Sequence, residues 1–439
     1  MPLRRRAASA LESWSQRATV DLVTWLLRDG RHQPSLSALT AALGARLVAA
    51  GIPVWRIYIG LHQLHPAFFG RGLLWDRDAG TVLEKPRPHG VEHSAYYREN
   101  PFSEIFEHTA YIRRRLEEPG AVLDYPVLRQ LQGDGGTDYA AFALEFYGRR
   151  SQAIAFTSNQ PGGFRSAEIS ILEAILPALG AAVEILHDRD EMRRLLATYV
   201  GARAGDRILN GSIKRGDCET IDAVLWICDL ENFTAVSETL PGRDLITLLD
   251  AYFDAVVTPI ERHGGEVLKF MGDSVLAVFP LSDGADHAAV HRAALEAACE
   301  GIVAVDALNG TWLARTHRPI GCGVALHVGE VSYGNIGAAD RLDFTVIGPG
   351  VNLAARLEQL TRSVGTRLVL SEDFARVLAE TVVPLGEFTL KGISKGQLVF
   401  GLSQPMERLW PRATHAAQET SREDGGHLMG PGEARDGHR

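Results

Sequence analysis

Cysteine and clustered positive charge are both scarce in this sequence. The four cysteines, Cys218, Cys228, Cys299 and Cys322, are scattered and form no C-x-x-C pair, so neither a disulfide framework nor a zinc site is indicated. This usage favours a reducing, cytoplasmic setting. The net charge is −9 and no dense Lys/Arg patch occurs. Nucleic acid is therefore not expected as the main partner, because binding to a phosphate backbone needs clustered positive charge.

Long apolar runs are missing as well. No window approaches the ~18 apolar residues of a membrane-spanning helix, and Arg4 to Arg6 are not followed by the apolar core of a signal peptide. We therefore expect no membrane partner. The chain has 439 residues, 46% of them hydrophobic, which is enough to bury more than one core. At roughly 150 residues per domain, two or three domains are expected.

The N-terminal part of the chain has the pattern of an α+β domain. The predicted elements in chain order are helices at 11–27 and 36–50, strands at 54–60, 140–147 and 152–157, and a helix from about 166. The stretch from Phe156 to Phe164, with the helix after it, resembles a GAF-like small-molecule sensor domain. The resemblance implies a sensor domain over residues 1–165 that binds an unknown small-molecule or protein regulator.

Aromatic residues and histidines are concentrated within this N-terminal part. They are His62, His65, Phe68, Phe69, Trp75, His89, His93, Tyr96, Tyr97 and Phe102. Two interpretations are open: they line a ligand pocket, or they belong to the core. His62 and His65 could also hold a metal or haem, although scattered histidines without a fixed ligand spacing are more often surface or core residues.

The predicted helix after Ser166 carries a heptad pattern. Its apolar residues Leu172, Leu176, Leu179, Val183 and Leu186 step by four and three, and the seam then shifts to Ile185, Met192, Leu196 and Tyr199. Such a helix could pair with its copy in a dimer, or its first half could pack on its own sheet. Residues 166–219 are interpreted as a signalling helix followed by a glycine-punctuated linker.

Helices alternate with antiparallel hairpins in residues 220–404, which favours an α+β domain with a ferredoxin-like sheet. The predicted elements are strand 222–230, helix 232–263, hairpin 266–280, helix 284–309, paired strands 320–336 and helix 350–363. The sequence after Gln404 is rich in Pro, Gly, Glu, Arg and His without periodicity. Residues 405–439 are therefore predicted to be a disordered tail.

Two carboxylates in this half stand next to predicted strands. Asp229 ends an apolar strand, and Asp273 lies at the tip of a turn between two β-rich runs. Gly272 suits that turn because glycine tolerates positive φ, so the Asp273 carboxylate is expected to point out of the sheet. Two carboxylates placed in this way could clamp a divalent cation against a phosphate.

Further charged and polar residues follow in a regular pattern. Asn352 and Arg356 are four residues apart and share one face of the helix that begins after Pro349 and Gly350. Each charged residue alone has an ordinary structural interpretation, such as a helix cap, a turn residue or a solvated charge. That interpretation becomes weaker when all of them occur together.

Residues 220–403 resemble the catalytic domain of class III nucleotidyl cyclases. The matching motifs, which occur in the same order, are Cys228–Thr234, Lys269–Asp273, Tyr333–Gly337, Leu342–Gly348, Val351–Glu358 and Leu390–Gly392. Pro349-Gly350 departs from the family, which often carries an acidic or hydroxyl residue there. Residues 199–217 resemble the short coupling element that precedes the catalytic domain in many sensor-linked cyclases.

This resemblance implies a two-metal reaction in a homodimer. The 3′-hydroxyl of a nucleoside triphosphate attacks the α-phosphorus and pyrophosphate leaves. Asp229 and Asp273 would hold two Mg²⁺ or Mn²⁺ ions per active site, and Leu230 could add its backbone carbonyl. The phosphate oxygens would be received by the backbone N–H groups of Asn232, Phe233 and Thr234.

The resemblance also assigns contacts to the rest of the nucleotide. Asn352 would orient the ribose, Arg356 would stabilise charge on the α-phosphate, and Lys391 would hold the terminal phosphates. Lys269 and Asp343 match the base-reading pair: the lysine donates to adenine N1 and the aspartate accepts from the 6-amino group. ATP is therefore the expected substrate.

Two alternatives to an adenylate cyclase stay open. A guanylate cyclase is opposed by Lys269 and Asp343, because guanine presents the reverse donor and acceptor pattern. A catalytically silent, cyclase-like dimerisation module would be expected to have lost a metal-binding aspartate or Arg356, and neither is lost.

Overall fold

The computed structural model describes residues 2–147, 152–282, 284, 286–378 and 381–403. It divides into two compact units, Met1–Leu195 and Leu196–Arg439, which are described in turn. The tail predicted over residues 405–439 lies outside the described residues. The domain boundaries drawn from the sequence stay predictions.

The first unit is an antiparallel sheet with helices on both faces. Its elements are α1 Pro2–Arg28, α2 Leu36–Ala49, β1 Arg56–His62, β2 Phe68–Asp76, β3 Val82–Pro88, α3 Ala95–Arg98, α4 Pro101–Glu107, β4 Tyr111–Arg115, α5 Pro126–Gly133, β5 Asp138–Leu144, β6 Gln152–Ser158 and α6 Ser166–Val200. The sheet has six strands in the order β3-β2-β1-β6-β5-β4. The GAF-like identity of this unit stays a prediction.

The alternation of side chains along β1 builds two separate cores. Ile57 and Ile59 pack with residues of α1, α2 and α6 on one face of the sheet. Tyr58 points to the opposite face and packs with residues of α4 and α5. This is the behaviour expected of a strand whose successive side chains face opposite ways. The half-buried strand predicted near residue 57 is thereby confirmed, with bounds shifted by two residues.

The first half of the α6 seam packs on its own sheet. Leu172, Leu179 and Val183 are fully buried in the core of the first unit, so these residues are not available to a second chain. The shifted seam differs, because Met192 and Tyr199 are 54% and 77% exposed. Pairing of the exposed residues with a second copy stays a prediction.

By length and composition, α6 could also cross a membrane. Among the helices of the described ranges it is the one that passes this test, and half of its apolar stretch is buried inside the fold. The expectation that no window approaches this length therefore does not hold for α6. This stretch contains two carboxylates, Glu173 and Glu184, among its apolar residues.

The second unit has a larger mixed sheet. Its elements are α7 Ala202–Leu209, β7 Cys218–Leu230, α8 Phe233–Thr239, α9 Gly242–Arg262, β8 Glu266–Met271, β9 Ser274–Pro280, α10 His287–Ala307, α11 Asn309–Thr316, β10 Cys322–Gly337, β11 Leu342–Ile347, α12 Pro349–Val364, β12 Leu368–Ser371, α13 Glu372–Ala375, β13 Val382–Phe388 and β14 Gln397–Leu402. The strand order is β13-β14-β12-β10-β7-β9-β8, and β11 pairs with β10.

Strand β7 lies near the middle of this sheet and is covered on both faces. Val224 and Trp226 pack against α9 and α10, whereas Leu225 and Ile227 belong to the core that contains Ala354 of α12. Burial on both faces explains why the sequence of β7 is almost continuously apolar. The predicted α+β class is confirmed.

Two predicted elements of this unit have different bounds in the structure. The single helix predicted over 232–263 is two helices, because Pro241 forces Leu240 into an extended conformation and ends α8. The two paired strands predicted over 320–336 are one strand, β10, which runs antiparallel to the whole of β7. Gly334 of β10 leaves no space for a side chain: a Cβ there would lie 2.1 Å from the carbonyl oxygen of Asp217.

Candidate active site

The end of β7 and the turn after β8 bring two carboxylates together. Asp229 pairs in register with Ser274 of β9, the residue that follows Asp273. Gly272 adopts a φ of 70° in this turn, as the sequence predicted. Burial raises the pKa of Asp273, and the negative charge of Asp229 raises it further. The two carboxylates therefore lie close enough to interact.

Both oxygens of Asp229 have partners within the chain. Its Oδ1 accepts a hydrogen bond from the Ser274 hydroxyl. Its Oδ2 lies 2.7 Å from Nη2 of Arg362, in the last turn of α12. The arginine partly balances the negative charge of Asp229.

A third carboxylate lies beside this pair. Glu358 of α12 is buried, and its Oε1 has no hydrogen-bond partner in the part of the chain that the structure describes. Burial raises the pKa of Glu358 to about 7, with further contributions from the charges of Asp229 and Asp273. Three acidic side chains thus share a partly buried region with one arginine.

This donor set fits a hard divalent cation. Mg²⁺ and Mn²⁺ prefer carboxylate and carbonyl oxygens, and the raised pKa values of Asp273 and Glu358 mean that their negative charges are under-compensated in the protein alone. A divalent cation between the carboxylates would supply that compensation. Leu230 is buried at the end of β7, and a role for its carbonyl oxygen stays a prediction.

The predicted phosphate-binding N–H groups begin a short helix. Asn232 has a φ of 60°, an uncommon left-handed conformation for a residue other than glycine, and α8 starts directly after it. The first hydrogen bond of the turn runs from Val236 N–H to the Asn232 carbonyl, 3.1 Å. The N–H groups of Phe233 and Thr234 come earlier and have no acceptor within the helix.

The predicted base-reading residues form an ion pair. Lys269 of β8 and Asp343 of β11 are 74 positions apart in the chain, yet Nζ and Oδ2 are 3.1 Å apart. Both residues line a groove of about 930 Å³ together with Phe270 and Phe344. That space is large enough for a nucleotide base, and the two charged groups offer a donor and an acceptor to it.

The remaining predicted residues lie apart from the carboxylates. Asn352 is exposed on α12, and Arg356 donates to Gln359 of the same helix at 3.1 Å. Lys391 is exposed in the turn between β13 and β14. Within the described ranges, none of Asn352, Arg356 and Lys391 forms a hydrogen bond or ion pair with Asp229 or Asp273.

Comparison with known proteins identifies this part of the chain. Residues 218–404 match the model of the adenylate and guanylate cyclase catalytic domain. They form a class III nucleotidyl cyclase catalytic domain. The match covers the candidate site from Asp229 to Lys391 and leaves the first unit outside it.

Curated relatives match up to about half of the chain. An adenylate cyclase of Anabaena cylindrica is 28% identical over 225 residues, which is 49% of this chain and 43% of that protein. Adenylate cyclase 1 of Rhizobium meliloti is 31% identical over 172 residues, which is 38% of this chain and 25% of that protein. The chain thus spans less than half the length of these relatives.

Solved structures of cyclases match part of the chain as well. The adenylyl cyclase CyaB from P. aeruginosa is 24% identical, with a TM-score of 0.40 over 43% of this chain and 97% of that chain. The guanylyl cyclase Cya2 is 25% identical, with a TM-score of 0.37 over 43% of this chain and 96% of that chain.

Sequence reasoning missed three residues around the carboxylates of the cyclase domain. Ser274, Glu358 and Arg362 received no role, although all three contact or electrostatically influence Asp229. The available signal was the spacing of Glu358 and Arg362, which are four apart and share one helix face. That spacing alone does not reveal which strand the helix face meets.

A buried histidine lies under the start of α12 in the cyclase domain. His327 of β10 is 4% exposed, and its Nδ1 lies 3.0 Å from the Ser371 hydroxyl oxygen. A Cβ at Gly350, in the first turn of α12, would lie 3.4 Å from His327 Nε2. Burial lowers the pKa of His327 to about 4. The neutral ring thus belongs to the packing beneath the helix that carries Asn352 and Arg356.

We expect acid to destabilise the cyclase domain through His327. Because its folded pKa of about 4 lies below the ordinary value of 6.5, the contribution to stability is fully present above pH 6.5 and is lost as the pH falls towards 4. The loss should be about 3 kcal/mol at most. Urea unfolding should show His327→Gln losing less stability than the wild type between pH 7 and pH 4.

The exposed His317 supplies the matched control for this experiment. His317→Gln should keep the acid sensitivity of the wild type, because the His317 side chain is exposed and not part of the packing beneath α12. A His327→Gln chain as acid-sensitive as the wild type would contradict the assignment of this destabilisation to His327.

Proposed function

We propose that the chain is an adenylate cyclase that converts ATP into 3′,5′-cyclic AMP and pyrophosphate. The observation that carries this choice of substrate is the 3.1 Å pair of Lys269 Nζ and Asp343 Oδ2 in the groove of the cyclase domain. An ammonium group can donate to adenine N1, and a carboxylate can accept from the 6-amino group. Guanine presents a donor at N1 and an acceptor at position 6, so both contacts would be mismatched.

The carboxylates provide the metal site in this proposal. Asp229 and Asp273, with the Leu230 carbonyl, would hold two Mg²⁺ or Mn²⁺ ions, which supply activation of the 3′-hydroxyl and neutralisation of the triphosphate. The N–H groups of Asn232, Phe233 and Thr234 would hold phosphate oxygens at the positive end of α8.

The remaining residues orient the nucleotide and stabilise its charge. Asn352 would fix the ribose, so that the 3′-hydroxyl faces the α-phosphorus. Arg356 would stabilise charge that develops on the α-phosphate, and Lys391 would hold the terminal phosphates. Each role depends on a side chain that is partly or fully exposed in the chain and therefore accessible to a nucleotide.

A homodimer supplies the complete site in this proposal. Arg356 is bonded to Gln359 of its own helix, while Arg362 takes the position next to Asp229. One chain therefore offers the metal carboxylates and the Asn352 and Arg356 pair as two separate groups. A second copy related by two-fold symmetry would join the carboxylates of one chain to the arginine of the other, giving two equivalent sites.

The first unit would regulate this activity through a bound ligand. A cavity of about 60 Å³ is lined by His62, Phe69, Tyr96, Tyr97 and Phe102, five of the residues that the sequence indicated. His65 is engaged elsewhere, since its Nδ1 accepts from the Ala67 N–H at 3.0 Å. A small-molecule regulator is therefore favoured at this cavity over a metal held by His62 and His65.

Product analysis tests the proposed activity. The full chain incubated with Mn²⁺ should form cyclic AMP and pyrophosphate from ATP, and cyclic GMP from GTP at a rate lower by about tenfold or more. Addition of EDTA should stop the reaction. Predominant formation of cyclic GMP would make the chain a guanylate cyclase, and the absence of both products would favour a silent dimerisation module.

A further inference from the structure

Arg362, the arginine next to the proposed metal site, is largely exposed to solvent. The Arg362 side chain is 56% exposed, whereas the Asp229 side chain that it contacts is 19% exposed. Because the Ser274 hydroxyl occupies Oδ1 of Asp229, Arg362 covers the second oxygen. Both carboxylate oxygens of Asp229 thus contact protein groups.

A metal ion and Arg362 would compete for the same oxygen. A divalent cation needs direct contact with a carboxylate oxygen, at about 2.0–2.6 Å depending on the ion. A guanidinium group 2.7 Å from Oδ2 of Asp229 would place a positive charge next to that cation, and like charges at such a distance repel each other. Arg362 in this position therefore opposes metal binding to Asp229.

A second acceptor for the arginine is present on the same helix. Glu358 precedes Arg362 by four residues, and a Glu placed N-terminal to a basic residue at this spacing is the favourable orientation for an ion pair. A Cβ at Gly323, the register partner of Asp229 in β10, would lie 3.1 Å from Oε1 of Glu358. The Glu358 carboxylate therefore lies beside the strand pair that carries Asp229.

The Glu358 carboxylate is also able to accept a hydrogen bond from Arg362. Its Oε1 forms no hydrogen bond in the described part of the chain, although the side chain is buried. An unpaired buried carboxylate oxygen is costly, and an arginine that moved from Asp229 to Glu358 would remove that cost.

We propose that Arg362 is a displaceable counter-cation of the metal site, which pairs with Asp229 until a divalent ion binds and then pairs with Glu358. The proposal rests on the proposed metal-binding roles of Asp229 and Asp273. It adds a positioning residue that sets the affinity of the site for metal. It also predicts that removing the contact between Arg362 and Asp229 raises the affinity of the site for metal.

Electron paramagnetic resonance tests this prediction. It measures the affinity of the full chain for Mn²⁺ in the absence of nucleotide. Arg362→Ala should bind Mn²⁺ about two- to fivefold more tightly, the size expected from loss of one exposed ion pair. Arg362→Lys should stay close to the wild type because it keeps the competing charge. Arg376→Ala, which removes an exposed arginine paired with Glu372, should leave the affinity unchanged.

A double-mutant comparison tests the second position of the arginine. Glu358→Gln should weaken Mn²⁺ binding in the wild-type background, and this effect should be smaller in the Arg362→Ala background. An Arg362→Ala chain with unchanged or weaker Mn²⁺ binding would overturn the proposal. Equal effects of Glu358→Gln in both backgrounds would overturn the transfer to Glu358.

Two further variants separate this inference from the proposed function. Asp229→Asn and Asp273→Asn should each abolish most Mn²⁺ binding at the site. If both variants bound Mn²⁺ like the wild type, the proposed metal site itself would be wrong. If they lost binding while Arg362→Ala gained none, the metal site would stand and only the role of Arg362 would fail.

Discussion

Mixing Asp273→Ala chains with Arg356→Ala chains should restore about a quarter of the wild-type cyclase rate at equal total protein. Each variant alone should lose roughly 10³-fold or more, because one lacks a metal carboxylate and the other an arginine that stabilises phosphoryl charge. In a mixed dimer one site collects both defects, while the other combines the intact Asp273 of one chain with the intact Arg356 of the other. About half of all dimers are mixed after random exchange, and each has one working site of two.

A second mixture serves as the control for this experiment. Asp229→Ala and Asp273→Ala chains both carry their defect in the carboxylate pair, so every site of their mixed dimer is damaged and no activity should return. Subunit exchange is checked by native mass spectrometry with chains of different mass. If exchange occurs and the first mixture stays inactive, each site is built within one chain and the two-fold arrangement is wrong.

Exchanging the base-reading pair should redirect the enzyme towards GTP. In Lys269→Glu/Asp343→Ala, the donor to adenine N1 becomes an acceptor and the acceptor for the 6-amino group is lost. The ratio of kcat/KM for ATP to that for GTP should fall about 100-fold or more, because sites that hydrogen-bond a substrate strongly reject a mismatched one. The measurement is the rate of cyclic AMP and cyclic GMP formation at matched Mn²⁺ concentration.

The charge change itself needs a separate control. Lys395→Glu introduces the same charge reversal at an exposed position of the cyclase domain, and it should leave the ATP to GTP ratio unchanged. A ratio that did not move in Lys269→Glu/Asp343→Ala would remove the base-reading role from the 3.1 Å pair and leave that pair as a structural contact.

Local chemistry made much of the cyclase domain predictable. The turn at Gly272 and the apolar strand that ends near Asp229 were correct because each depends on a few neighbouring residues. The long helix over 232–263 was wrong because apolar periodicity continues across Pro241, and periodicity does not register a missing N–H group. The two paired strands over 320–336 were wrong because β10 continues as one strand, and the pairing that shows this is with the distant β7.

Long-range contacts limited what could be predicted about the site. Arg362 and Asp229 are 133 positions apart in the chain, and no local pattern shows that the last turn of α12 meets the end of β7. The same holds for His327, whose burial beneath Gly350 depends on how α12 packs on the sheet. By contrast, the family resemblance grouped Lys269 with Asp343, and the structure places Nζ and Oδ2 of these residues 3.1 Å apart; their base-reading role stays a prediction.

The helix α12 carries both arginines, Arg356 and Arg362, within its 16 residues. Six positions of α-helix correspond to an axial distance of only about 9 Å. If the two-fold dimer assembles as proposed, the first arginine serves the partner's nucleotide and the second serves the metal carboxylates of its own chain. One short helix would then contribute side chains to two catalytic centres. Any slide or rotation of this helix would therefore alter the geometry of both centres at once.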